Sequence, residues 1–255
     1  MDAFFFPTAD DLRLFGVARG PHDADWVWIL CPPFAEEEKS SRRFFTLLAQ
    51  NLESRGAASL VFSFRGTGDS EGEFADATLS AWKRDLSAAK TEAQRRFPRS
   101  QIALLGVRLG ASLTWQEAGK LGAKRLILIE PLWSGRSFLM QQNARKQIRA
   151  QLTGETASHP ATDTKIEDLD GWELGQTLKS ELGALDLRRE TPAFSGPTAF
   201  FQIGPKSEIA PPLQALSDAT NASARAVVMP AFWNLIDAPD FSPLLEAVQE
   251  EIDCE

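Results

Sequence analysis

Apolar and polar positions follow two periods along this chain, and the switches between them predict its elements. Residues 12–18 alternate apolar and polar, which suits an early antiparallel strand with one solvated face. Residues 26–31 are continuously apolar, as in a strand covered on both faces. Residues 41–55 show helical spacing, with Phe44, Phe45, Leu47, Leu48 and Leu52 on one stripe and Gly56 placed to end the helix. Strands are predicted at 58–64, 101–105 and 125–129, with a long helix over 78–97 that Pro98 stops. A shorter helix starts near Ala111. Toward the carboxyl end the pattern predicts strands at 198–203 and 226–229 and helices at 213–219 and 241–252. This alternation argues for an α/β fold of three layers, a mostly parallel sheet between helices.

Residues 132–195 depart from the pattern. They are polar, with segments at 138–152 and 172–182 standing out as helical. The expected organisation is a core over 1–131 and 196–255 and a lid of helices and loops inserted at 132–195. The chain has 255 residues, 43% hydrophobic content and a net charge of −8. That suits one sizeable core and argues against a nucleic-acid partner, which needs a basic face. No apolar run is long enough for a membrane helix, and residues 1–7 are too short and acidic for a signal peptide. Cys31 and Cys254 lie at opposite ends and read as reduced thiols. Together with His22 and His159 they lack the paired spacing of a metal site, so no metal and no cofactor is expected.

The turn after the 101–105 strand carries the most informative residues: Gly106-Val107-Arg108-Leu109-Gly110. Strand, tight turn and helix follow each other as in a G-x-S-x-G nucleophile elbow, with arginine where the serine would stand. Arginine is always charged and only donates hydrogen bonds, so it binds anions and does not attack carbonyls. A second turn, Arg65-Gly66-Thr67-Gly68-Asp69-Ser70-Glu71-Gly72, resembles the RGxGxSxG segment of α/β-hydrolases, and the chain resembles that fold over nearly its whole length. Pro32 to Glu37 followed by Lys39 to Arg43, Gly106 to Ala111, and Pro230 to Trp233 together resemble the family called exosortase A system-associated hydrolase 2. The resemblance implies a bacterial cytoplasmic protein tied to exopolysaccharide export or protein sorting. It establishes no activity, because function lives in the site and not in the fold.

Each catalytic role can be tested on its position. Ser112 lies one turn beyond the elbow tip and reads as a helix residue bonded back to a carbonyl. The loop after the last strand, where the histidine belongs, offers Trp233, and both histidines of the chain lie elsewhere, in an early turn and in the insert. The acid position falls on Glu208, either a partner of Arg108 or a surface residue. The oxyanion-hole loop reads Pro32, Pro33, Phe34, Ala35, Glu36, and its backbone N–H groups would converge with that of Leu109. Glu36 and Glu37 are either a solvated helix start or carboxylates that answer Arg108, whose desolvation demands one. Arg42 and Arg43 read as a solvated helix face that would widen the site if turned inward.

Two functions follow. The first is a non-hydrolytic homologue that binds a small anionic molecule, or an acidic group on a partner, at Arg108, Leu109, Phe34, Ala35, Glu36, Glu37, Asp69, Glu208 and Trp233. The second is a hydrolase or an acyl or glycosyl transferase in which Glu36, Glu37, Asp69 or Glu208 drives water. A filled pocket is the structural alternative, since Phe34, Trp133, Phe232 and Trp233 suit a plug as well as a lining. Self-association is left open.

Overall fold

A computed structural model describes residues 1–153, 166–169, 171–190 and 194–253. The chain runs β1 (Asp2–Pro7), β2 (Arg13–Arg19), β3 (Trp26–Cys31), α1 (Glu36–Ser54), β4 (Ala58–Phe62), α2 (Leu79–Arg96), β5 (Gln101–Val107), α3 (Leu109–Glu117) and β6 (Arg125–Ile129). It continues with α4 (Gly135–Thr153), β7 (Ile166–Leu169), β8 (Trp172–Gly175), α5 (Gln176–Ala184), β9 (Thr198–Gly204), α6 (Pro211–Thr220), β10 (Ser223–Val228) and α7 (Ser242–Asp253). Eight strands form one sheet in the order β1-β2-β4-β3-β5-β6-β9-β10. β2 pairs antiparallel with β1 and β4, and β4 to β10 are parallel neighbours throughout.

The continuously apolar strands sit where two covering layers demand them. In β3, Val27, Ile29 and Cys31 face one core with α2 and α3, while Trp28 and Leu30 face the other with α1 and α7. The alternation of side chains across a strand splits one apolar run between both cores. α2 is capped by the Thr78 side chain, which accepts from the Ala81 N–H at 3.0 Å. The Arg65 to Gly72 turn is anchored by the buried Arg65, whose guanidinium donates to Asp85 and Asp10.

Several expectations need correcting. β1 was not predicted, because Phe4-Phe5-Phe6 carries no alternation; it exists as an edge strand that pairs with β2. α1 starts at Glu36, well before the predicted residue 41. Its apolar stripe begins only at Phe44, whereas three glutamates suit the first turn near the positive end of the helix dipole. The predicted 172–182 helix divides into β8 and α5, and β8 pairs antiparallel with β7. The chain between β6 and β9 therefore holds a hairpin as well as helices. Its buried Phe138, Leu174, Leu178 and Leu182 join the same core as Phe34 and Trp82. No helix among the described residues is long and apolar enough to cross a membrane.

Candidate functional site at the elbow

The glycines of the elbow are demanded by contact. A Cβ at Gly110 would lie 2.3 Å from the Cys31 carbonyl oxygen and 2.4 Å from that of Pro32. A Cβ at Gly106 would lie 2.5 Å from the Ala111 backbone nitrogen. The start of α3 thus presses on the end of β3 and folds back over β5, and only glycine permits it. Between them Arg108 has φ 55 and ψ −119, a conformation that non-glycine residues adopt at a cost. Ala35, across the turn after β3, has nearly the same values, φ 55 and ψ −134. Two strained turns therefore meet at the carboxyl ends of the central strands.

The strained backbone lifts the Arg108 side chain into a fitted seat. Nε donates to Glu37 Oε2 at 3.2 Å, and Nη2 donates to Glu37 Oε1 at 3.1 Å. Nη1 donates to the Glu130 carbonyl at 3.4 Å. The guanidinium carbon stands 4.8 Å from the centre of the Trp233 ring, within cation–π range. Only 13% of the Arg108 side chain and 7% of that of Glu37 are exposed. Burial pushes the Glu37 carboxyl up, and Arg108 only partly offsets this. Glu37 is thus the carboxylate that answers the arginine, and the reading of Glu37 as part of a solvated helix start is corrected. Successive residues of a helix point about 100° apart. Glu36 accordingly stays in solvent with Lys39, and Glu38 turns to Ser63.

Glu208, expected at the acid position, is exposed and makes no contact with Arg108 among the described residues. Glu130 comes closer. It follows β6 with φ 46, and its carboxylate accepts from the Ile203 N–H at 2.7 Å. Sequence reading passed over it, although an acidic residue between an apolar strand end and Pro131 was the available signal. Ser112 is buried and bonds back to the Arg108 carbonyl at 3.3 Å, as expected, and also to the backbone of Leu132. His22 is exposed near the Arg96 carbonyl, and His159 and Cys254 lie outside the described residues. Cys31 is buried, and burial pushes its thiol up.

The aromatic residues divide. Phe34 is fully buried against Phe74, Trp82 and Phe138, so on that side the space over the elbow is filled. Phe232 packs on Phe44 and Phe241 as core, and Trp133 is half-buried on Phe200. On the opposite side, Glu37 and Trp233 stand between Arg108 and a cavity that Arg108 itself does not line. This cavity of 780 Å³ is lined by Glu36, Glu37, Lys39, Arg145 and Trp233, with Ile236 at its edge. Asp69 lies instead on a cavity of 260 Å³ beside α1, with Glu38 and Arg42. Arg42 and Arg43 are both exposed and do not line the larger cavity. Leu109 and Ala35 are buried, and Leu109 begins α3, where its N–H has no acceptor within the helix. Among the described residues, no cluster of histidine, cysteine, aspartate or glutamate is arranged to hold a metal ion.

Comparisons with known proteins agree with this architecture. No protein-family model and no curated protein matches the chain. Solved structures do match. The structure of Est1E from Butyrivibrio proteoclasticus with ferulic acid bound has a TM-score of 0.69 at 18% identity, covering 98% of each chain. The Pyrococcus furiosus esterase Pf2001 gives 0.67 at 14% identity, over 98% of this chain and 89% of that one. The α/β hydrolase GrgF from Penicillium sp. sh18 gives 0.66 at 17% identity, over 98% and 97%. The sheet order, the strained turn after β5 and these neighbours agree: the chain has the α/β-hydrolase fold.

Proposed function

We propose that this chain is a non-hydrolytic relative of the esterases it resembles and binds a carboxylate- or phosphate-bearing molecule, or an acidic group on a partner, at Arg108. One observation carries the reading. The elbow presents a guanidinium in place of a nucleophile, and that guanidinium holds a carboxylate, Glu37, in the seat an external anion would take. Glu37 is an internal stand-in: its two oxygens occupy the donors that a ligand carboxylate or phosphate would claim. The ligand enters from the 780 Å³ cavity, where Arg145 adds a second guanidinium. The triad positions support the absence of turnover, with arginine at the nucleophile and Trp233 where the histidine belongs. The segment resemblance ties the protein to bacterial exopolysaccharide or exosortase systems and to the cytoplasm. Purified protein is expected to leave p-nitrophenyl acetate at its buffer rate, and Arg108→Met is expected to abolish binding of acetate, benzoate and phosphate. Unchanged binding of all three in Arg108→Met would remove the site.

A second reading has its own observation. Glu37 lines the open cavity with a carboxyl raised by burial, the condition of a general acid. An enzyme built on it would protonate a leaving group as water attacks, without Asp69 or Glu208, which lie on another cavity and in solvent. Ester or glycoside turnover that is lost in Glu37→Gln would establish this version.

A further inference from the structure

We propose a second binding site, for a small organic ammonium group, in the cavity between β6, β9 and α6. It shares no lining residue with the cavity beside Arg108 and does not depend on the anion reading. Its volume is 480 Å³, within the range of small-molecule sites. Trp133, Pro205, Pro212 and Leu213 give it apolar walls, and Glu130 brings a carboxylate to it.

Glu130 is held there by both ends. Its N–H donates to the Phe201 carbonyl at 2.9 Å, and its Oε1 accepts from the Ile203 N–H at 2.7 Å. This grip on β9 goes with a left-handed backbone, φ 46, which glutamate adopts at a cost of about 1–2 kcal/mol. Strain of this kind persists where the surroundings enforce it, and it concentrates at binding sites. The second oxygen, Oε2, has no hydrogen-bond partner and the carboxylate no ion pair among the described residues. Arg108 reaches the Glu130 carbonyl and not its carboxylate. Burial pushes the Glu130 carboxyl up, and the Ile203 hydrogen bond and the nearby charge of Arg108 only partly offset this.

A carboxylate with one open oxygen, set among apolar and aromatic walls, is complemented by a cation. An alkylammonium donates to Oε2, lays its carbons on Pro212 and Leu213, and brings its charge near the Trp133 ring. A neutral alcohol of the same size makes the apolar contacts and leaves the charge unanswered. Lys206, exposed at the same cavity, sets a like charge at the rim and favours monocations over dications.

The test compares n-butylamine with 1-butanol at about pH 8, where the amine is charged. Binding is followed by calorimetry, a readout that every variant retains. The amine is expected to bind at least ~10-fold tighter than the alcohol, and Glu130→Gln to erase that preference. Trp133→Leu, at a half-buried position, is expected to cut the preference at least ~3-fold even if Glu130→Gln does not fold. Equal binding of amine and alcohol overturns the proposal. So does a preference that survives Glu130→Gln, or one unchanged in Trp133→Leu.

Discussion

Replacing Arg108 by methionine isolates what the guanidinium does for the protein. The change keeps most of the buried volume and removes the charge that stands 3.1 Å from Glu37. Glu37 must then remain charged among apolar neighbours or take a proton, and the second route caps the cost. At pH 7 it means protonating a group whose ordinary value is 4.5. That is roughly 2.5 pH units at about 1.4 kcal/mol each, hence about 3.4 kcal/mol. Loss of the seat on Trp233 adds about 1 kcal/mol that does not vary with pH. The direction is set by linkage. Burial already raises Glu37, and removing Arg108 raises it further. A raised carboxyl contributes stability below its unfolded value and loses it as pH rises through the folded value. Arg108→Met is therefore expected to fall short of the parent by as much as ~4 kcal/mol at pH 7 and by less than ~2 kcal/mol at pH 5. Urea unfolding at the two pH values measures this. The double variant Glu37→Gln with Arg108→Met has no titrating group in the seat, so its deficit is expected not to grow from pH 5 to pH 7. An equal deficit for Arg108→Met at both pH values would refute the reasoning, as would the same pH slope in the double variant.

Other expectations concern the frame. Gly110→Ala drives a Cβ into two backbone carbonyls that cannot yield, and is expected to cost more than ~4 kcal/mol, lowering Tm by at least ~8 °C in a thermal melt or preventing folding. Phe34→Ala empties a fully buried site against Phe74, Trp82 and Phe138 and is expected to cost about 3–5 kcal/mol by urea unfolding. The hole it leaves is apolar, so benzene is expected to restore part of the loss. Thr78→Ala removes the α2 cap and is expected to cost about 1 kcal/mol, whereas Thr78→Ser recovers most of it.

The parts of this molecule that were legible in its sequence are those where one local signal suffices. The G-x-R-x-G turn announced the elbow because close backbone approach leaves glycine alone, and the structure shows those approaches at Gly106 and Gly110. The apolar runs located the central strands because burial on two faces removes polar residues from them. Local signals failed where partners decide. β1 is a strand through its pairing with β2, and β8 through β7. The choice among Glu36, Glu37 and Glu208 depends on where α1 begins and how its first turn points. Glu37 faces Arg108 because the helix starts at Glu36, ahead of its apolar stripe. Glu130 had a sequence signal, an acidic residue between a strand end and Pro131, but its left-handed backbone is set by the pairing with β9.

The central claim is that Arg108 is an anion seat occupied by the protein's own carboxylate. Titration of Glu37→Gln with inorganic phosphate by calorimetry tests it most directly. Freed of its internal competitor, the variant is expected to bind phosphate at least ~10-fold tighter than the parent, and the added Arg108→Met substitution to abolish that binding. Phosphate binding no tighter in Glu37→Gln than in the parent, or retained in the double variant, would contradict the account.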